Sequence, residues 1–337
     1  MAKRSVSMRE IARSMQLSPA TVSNALNGKP GVGRELAEEI RRTAVAMGWK
    51  RPGSLESVQF VIARRSGRMI DEGSFRLAVI NGIESEARRH GVATAYATVE
   101  LADRHLCARR LAQLSSEPSS GIILLGTEME EADYDLFADL GMPLVVVDGV
   151  SDNHFFESIV FSNEGSAHRA VRYLVSKGHT RIGYLAGKLR IRNFPLRERG
   201  WRRALEESGL PARDEWRVEL GTDGVEAAHR DMLAWLDGAP SLPTAFFADN
   251  DAIAVGAMQA LAERGVSVPE DVSIVGFDDL EYARAAHPPL TTVHVPRFEI
   301  GRLAAKKLLE QAEEPPRYTC VTHLSTRLVE RRSVHEL

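Results

Sequence analysis

Four aspartates stand in two close pairs, Asp249 with Asp251 and Asp278 with Asp279, and each pair follows a short apolar run. Paired carboxylates can serve glycoside hydrolysis as acid and nucleophile, or hold a hard cation. Facing a guanidinium, they would instead hold the vicinal hydroxyls of a sugar, and Arg197 follows another apolar run. A second polar group has different chemistry. Ser18, Thr21, Ser23, Asn24 and Asn27 crowd one short segment. Hydroxyls there suit phosphate oxygens, and an asparagine amide can pair in bidentate fashion with adenine. The chain has no nucleophile elbow, zinc motif or phosphate loop. The GKPGVG run, Gly28 to Gly33, joins two predicted helices and follows no strand, so its glycine signal is weak. The expectation is therefore no catalytic residue, no metal site and no cofactor.

The elements that must position these groups fall into two classes. The first fifty or so residues read as helical. Ser7 can cap one helix with Glu10 as its reciprocal partner, and Met8, Ile11, Ala12 and Met15 share a face. Ser18 can cap a second helix, with Pro19 at its first position. Val22, Ala25 and Leu26 form that helix's inward face, and Ala20, Thr21, Ser23, Asn24 and Asn27 its outward face. A third helix is predicted over 34–47, with Leu36, Ile40, Ala44 and Met47 at core spacing and Gly48 as its stop. Three helices with a tight turn between the first two make a helix-turn-helix. Bulky residues on the outward face would hold it off the base edges of a major groove.

From Val58 the pattern changes. VQFVIA, GIILLG, PLVVVD, RIGYLAG, TAFFAD and VSIVGFDD have the length and branching of buried strands. Amphipathic stretches at 164–177, 197–208, 225–236 and 251–264 lie between them. This alternation predicts parallel α/β structure, and its length suits two lobes better than one. Groups that face a ligand between such lobes sit after the carboxyl ends of strands. Asp148, Asn250 and Asp278 fall there, and Arg197 opens the helix expected after RIGYLAG. Each has a plainer alternative: Asp278 and Asp279 can cap a following helix, and Arg197 can be a surface arginine.

Composition narrows the class further. The chain has 337 residues, of which 44% are hydrophobic, enough for more than one cored domain. Cys107 and Cys320 are its only cysteines and lie far apart, which argues against a disulfide framework and for a reducing cytoplasm. No apolar run approaches the roughly 18 residues of a membrane span, and no secretory signal is read at the N-terminus. Net charge is −3, but residues 1–55 carry ten Lys/Arg against four Asp/Glu, so a +6 head precedes a −9 body. That asymmetry suits a nucleic-acid-binding module joined to something else.

MREIARSMQLSPATVSNALNGKPGVGRELAEEIRRTAVAMGW resembles the DNA-binding head of the LacI/GalR family of bacterial transcription regulators. The shared pattern is the IA…LSxxTVSNALNG run, a third helix and a terminal Gly-aromatic pair. SIVFSNEGSAHRAVRYLVSKGHTRIGYLAG resembles the family's centre, and NDAIAVGAMQALAERGVSVPEDVSIVGFDDLEYARAAHPPLTTVHVP its C-terminal signature. The resemblance spans nearly the whole chain. It implies an N-terminal all-α helix-turn-helix domain and a two-lobed α/β sensor of the periplasmic-binding-protein-like (type I) fold. It also implies a homodimer on a near-palindromic double-stranded DNA operator, acting as a repressor, with a small effector between the lobes, most plausibly a mono- or disaccharide. The expected layout is 1–52 for the head, 53–57 for a short linker and 58–337 for the sensor. Lobe 1 is expected at about 58–160 and 291–318, and lobe 2 at about 161–290 and 319–337.

DNA contacts are then expected from Ser7, Met8, Ser18, Pro19, Ala20, Thr21, Ser23, Asn24, Asn27 and Arg51. Matching the family pattern carries over Phe75, Phe161, Arg197, Asn250 and Asp278 as effector contacts, with Asp148 as a weaker carry-over. Phe161 can equally be core packing. Two departures from the pattern stand out. Gln16 occupies the turn position that is usually glycine, at a cost of roughly 1 kcal/mol. Only Gly53 to Ser57 separate Pro52 from the first predicted strand, too few residues for the family's hinge helix, so Leu55 is expected to pack on the body rather than wedge into DNA. The competing classes are a carbohydrate-active enzyme and a solute-binding protein, which would share the body but not the basic head.

Overall fold

The computed structural model describes residues 6–26, 30–47, 49, 55–65, 72–117 and 119–337. The head contains α1 (Met8–Ser14), α2 (Pro19–Leu26) and α3 (Arg34–Met47). Ser7 Oγ accepts from the Glu10 amide at 3.3 Å, and Glu10 accepts from the Ser7 amide at 2.7 Å, which completes a capping box. Ser18 Oγ accepts from the Thr21 amide at 3.0 Å and caps α2. Gln16 takes φ +55°, the left-handed backbone that the turn demands. Ile11, Ala12, Val22, Ala25, Ala37, Ile40 and Ala44 bury one core. Leu36 and Met47 are half-buried at its edge, and Ala37 takes the inner place.

The body is built from two six-stranded sheets. Lobe 1 orders its strands β11-β5-β4-β3-β1-β2: β1 (Ser57–Arg64), β2 (Ala93–Glu100), β3 (Ser120–Leu125), β4 (Leu144–Val147), β5 (Glu157–Phe161) and β11 (Val321–Leu324). All its pairings are parallel. Lobe 2 orders its strands β12-β10-β9-β8-β6-β7: β6 (Ile182–Gly187), β7 (Arg217–Leu220), β8 (Ala245–Ala248), β9 (Ser273–Asp278), β10 (Thr291–His294) and β12 (Arg327–Val329). Only β12 runs antiparallel to its neighbour. The strands read from the sequence are the central ones, where both faces are covered by helices and the residues are apolar throughout. The edge strand β2, ATAYATVE, keeps five of its eight residues exposed and lacks that signature.

Helices α4 (Glu72–Arg89) and α12 (Arg297–Glu313) pack on lobe 1 and on each other. They meet backbone to backbone at two glycines: a Cβ on Gly82 would strike the Phe298 carbonyl, and one on Gly301 the Val79 carbonyl. The remaining body helices are α5 (Arg104–Ser115) and α6 (Asp135–Ala138), then α7 (Asn163–Ser176), α8 (Asn193–Glu207), α9 (Val225–Leu236), α10 (Asp251–Glu263) and α11 (Glu281–Ala285). Among the described residues, no helix is long and apolar enough to cross a membrane.

The chain crosses between lobes after β5, after β10 and after β11. This corrects two expected boundaries. Residues 291–294 pair with β9 and belong to lobe 2, and residues 321–324 pair with β5 and belong to lobe 1. Strand pairing fixes these crossings, and such short strands carry no periodicity to mark them. The expected linker also ends earlier. Leu55 is 6% exposed in the lobe 1 core beside Gly121, and the Glu56 amide bonds the Ser119 carbonyl at 2.6 Å. Residues 53 and 54 lie outside the described residues.

Because Leu55 fills body core, Leu55→Ala should lower sensor stability by about 2–5 kcal/mol, and Leu55→Met by less than about 1.5 kcal/mol. Urea denaturation of the full chain checks this; an unchanged midpoint for Leu55→Ala would place the side chain elsewhere.

Candidate functional site

Two sites emerge. On the head, Ser7 and Ser18 are exposed and act as helix caps, Met8 is half-buried, and Pro19 and Ala20 are exposed. Thr21, Ser23 and Asn24 are half-buried, with the Thr21 hydroxyl bonded to Ser18 Oγ at 2.8 Å. Val22 and Ala25 point inward, so the polar residues occupy the other side of α2. Asn27 and Arg51 lie outside the described residues.

The second site is a cleft of about 530 Å³ between the lobes. All six expected effector residues, Phe75, Asp148, Phe161, Arg197, Asn250 and Asp278, line it. Their positions follow from the strand ends. Asp148 lies just past β4, Asp278 ends β9, and Asn250 caps α10 by accepting from the Ile253 amide at 2.9 Å. That bond occupies the Asn250 carbonyl oxygen, so its amide N–H groups are what it can offer the cleft. Phe161 ends β5, packs in the core and stands 6.3 Å from the Phe277 ring of the other lobe. Phe161 is thus a core residue that also lines the cleft.

Arg197 does not open its helix: it sits one turn inside α8, whose first residue is Asn193. At 3% exposed it is buried, which removes the alternative of a surface arginine. Its partners explain how the charge is tolerated. Nε donates to Asn163 Oδ1 at 2.9 Å, Nη1 donates to the Asp249 carbonyl, and Nη2 reaches Asp278 at 3.3 Å. The guanidinium also stacks 3.7 Å from the Phe277 ring centroid.

From Arg197 a polar chain crosses to lobe 1. Asn163 Nδ2 donates to Asn193 Oδ1 at 3.0 Å, and Asn193 Nδ2 donates to both Asp148 oxygens at 3.0 and 3.1 Å. Thr127 adds a hydroxyl to Asp148 at 2.8 Å. Burial pushes the Asp148 carboxyl up to about 6, with the Thr127 and Asn193 bonds and the nearby Arg197 charge acting against that rise.

Sequence reasoning missed Thr127, Asn193 and Thr222, which also line the cleft. Thr127 falls just past the GIILLG run, so the strand-end rule could have found it. Asn193 lies four residues before Arg197, on the same helix face. Thr222 follows β7, a strand with too few residues to read.

The other carboxylates serve the scaffold. Asp249 accepts from Tyr184, from the Gly187 amide at 2.8 Å and from Arg190 at 2.6 Å; burial still raises it to about 6. Asp251 accepts from Thr292 and from the Leu280 amide at 2.8 Å, and burial, then the Asp278 charge, lifts it well above its usual range. Burial also pushes Asp279 upward, but bonds from Arg331, His294 and Arg284 outweigh that and hold it low. Among the described residues no cluster of three His, Cys, Asp or Glu could hold a metal.

A capped helix-turn-helix joined to a two-lobed α/β body with a polar interlobe cleft defines a DNA-binding regulator that senses a small molecule. Known proteins agree. A family model for the periplasmic binding protein-like domain matches residues 171–334. The ribose operon repressor of Haemophilus influenzae is 29% identical over 98% of this chain and 99% of its own. The PurR transcriptional repressor of Pasteurella multocida is 28% identical over 97% of this chain and 98% of its own. A lac repressor dimer bound to operator and the anti-inducer ONPF superposes with a TM-score of 0.72, at 24% identity, over 98% of this chain and all (100%) of that one. Over nearly its whole length the chain is similar to these transcriptional repressors, in keeping with its resemblance to the LacI/GalR family.

The buried Asp148 makes a pH prediction. Its folded value, about 6, lies above its ordinary 3.8, so the fold holds the proton more tightly than the unfolded chain does. Stability should therefore fall as pH rises from about 4 to about 6 and stay level above that. Asp148→Asn removes this one contribution. The wild-type-minus-variant difference in unfolding free energy should shrink by up to about 3 kcal/mol across that window. Denaturant titrations at several pH values check it; a pH-independent difference would contradict it.

Proposed function

We propose that this protein is a cytoplasmic homodimeric repressor whose two heads read a near-palindromic operator and whose interlobe cleft binds a neutral saccharide. The observation that carries the reading is the convergence of Asp148, Arg197, Asn250 and Asp278 with Phe75 and Phe161 in one cleft. Carboxylates and amides match sugar hydroxyls, and aromatic walls match the apolar face of a ring. A relative named for a ribose operon supports that effector class. No catalysis, metal or cofactor enters the reading, because Asp249, Asp251 and Asp279 are committed to scaffold partners.

On the DNA side, Asn24 reads a base, and Ser7, Met8, Ser18, Pro19, Ala20, Thr21, Ser23, Asn27 and Arg51 hold the head on the duplex. Affinity should fall steeply with salt. Effector hydroxyls bind where Asn193 now donates to Asp148 and Arg197 to Asp278, which couples ligand to lobe geometry.

Gel shifts on an operator selected from random sequence, with and without sugars, test both halves. Asn24→Ala should relax preference at one position per half-site by about 1–3 kcal/mol. Asp278→Asn should keep operator affinity but weaken the sugar response about tenfold to a hundredfold, as expected for one charge-assisted hydrogen bond. Unaltered sequence preference in the first variant, or an unaltered response in the second, contradicts the assignment.

A further inference from the structure

Behind the cleft, one residue is held from both lobes. Asp279 is buried and does not line the cleft. Its carboxylate is fixed by lobe 2. Arg331 donates to it, His294 Nδ1 bonds it at 2.9 Å and Arg284 reaches it at 3.3 Å. Arg331 is itself tied back beside β10, through the Leu290 carbonyl at 2.8 Å and Thr291 Oγ1 at 2.9 Å. The Asp279 carbonyl is taken by lobe 1: Arg297, the first residue of α12, donates to it from Nη2 at 2.9 Å. Arg297 directly follows the crossing from β10, and α12 meets α4 backbone to backbone at Gly82 and Gly301. This guanidinium therefore moves with lobe 1.

The peptide between Asp279 and Leu280 is gripped from two sides. Its carbonyl accepts from Arg297, and its N–H donates to the buried Asp251 of lobe 2 at 2.8 Å. Asp278, one residue earlier, and Leu280 itself line the cleft. When one lobe turns against the other, the carboxylate bonds of Asp279 stay intact, because their donors ride on lobe 2. Of the bonds that Asp279 makes, the one from Arg297 spans the lobes and must stretch. An interaction present in one arrangement and absent from another shifts the balance between them by its own strength. A guanidinium–carbonyl bond is charge-assisted, so that shift is about tenfold.

We infer that Arg297 and the Asp279 carbonyl form a latch at the hinge, which favours the lobe arrangement that assembles the cleft and links Asp278 and Leu280 to α12. The latch touches no ligand, so it acts whichever molecule fills the cleft. Two readouts on the full chain test it. Spin labels at Arg109 of α5 and Arg230 of α9, with Cys107 and Cys320 replaced, report the lobe separation. Arg297→Ala should broaden the distance distribution, and Arg297→Lys, which keeps a cationic donor, should restore it. In hydrogen exchange the Leu280 amide should open about tenfold faster in Arg297→Ala, while the β9 amides exchange as in the wild type. An Arg297→Ala distribution that coincides with the wild-type one overturns the latch. A lysine variant as broad as the alanine variant overturns it too, because the effect then comes from lost packing. Acceleration of the β9 amides together with Leu280 also overturns it, since lobe 2 has then loosened as a whole.

Discussion

A carboxylate without a cation of its own sits where the two lobes meet. Asp148 is 5% exposed and takes its hydrogen bonds from neutral donors, Thr127 on its own lobe and Asn193 on the other. Burying a charge on those terms is costly, and its raised pKa records the cost. The arrangement holds only while Asn193 stays aligned, and Asn193 is aligned by Asn163, which is in turn held by Arg197. One side chain on lobe 1 therefore depends on three on lobe 2. A ligand that supplies hydroxyls to Asp148 replaces Asn193 or adds to it, and either change acts on the distance between lobes.

The fold exists to hold those strand ends still. In both sheets the central strands are apolar on both faces, and helices cover them, so their carboxyl ends project polar residues from a rigid base. Asp148, Asp278 and Asp279 all have positive φ, which turns the chain sharply out of β4 and β9 and into the cleft. Such backbone is unfavourable for aspartate and persists because the carboxylates are bonded in place. The helix-turn-helix has its own core, in which Ile11, Val22 and Ile40 pack with Ala12, Ala25, Ala37 and Ala44.

Much of this was legible in the residues. Capping at Ser7 and Ser18, the left-handed Gln16 and the inward face of α2 follow from local chemistry alone, and the structure forms them as read. The central strands were legible for the same reason: complete burial leaves an uninterrupted apolar run. Strands at the sheet edges, β2 and β7, and the short strands β10 to β12 were not, because half-exposed or brief segments leave no pattern. Hence the lobe boundaries were placed wrongly near the C-terminal crossings. In the cleft, residue types pointed to the right strand ends, but not to partners. Nothing in the sequence says that Arg197 would spend its donors on Asn163, Asp249 and Asp278, since those contacts join segments distant in the chain.

The central claim is that the Asp148–Asn193 contact holds the lobes together. Spin labels at Arg109 on α5 and Arg230 on α9, both exposed, report the distance between lobes when Cys107 and Cys320 are replaced. Pulsed electron resonance on otherwise wild-type protein should give one narrow distribution. Asn193→Ala should shift it to longer distances and broaden it. An Asn193→Ala distribution that coincides with the wild-type one would contradict the account.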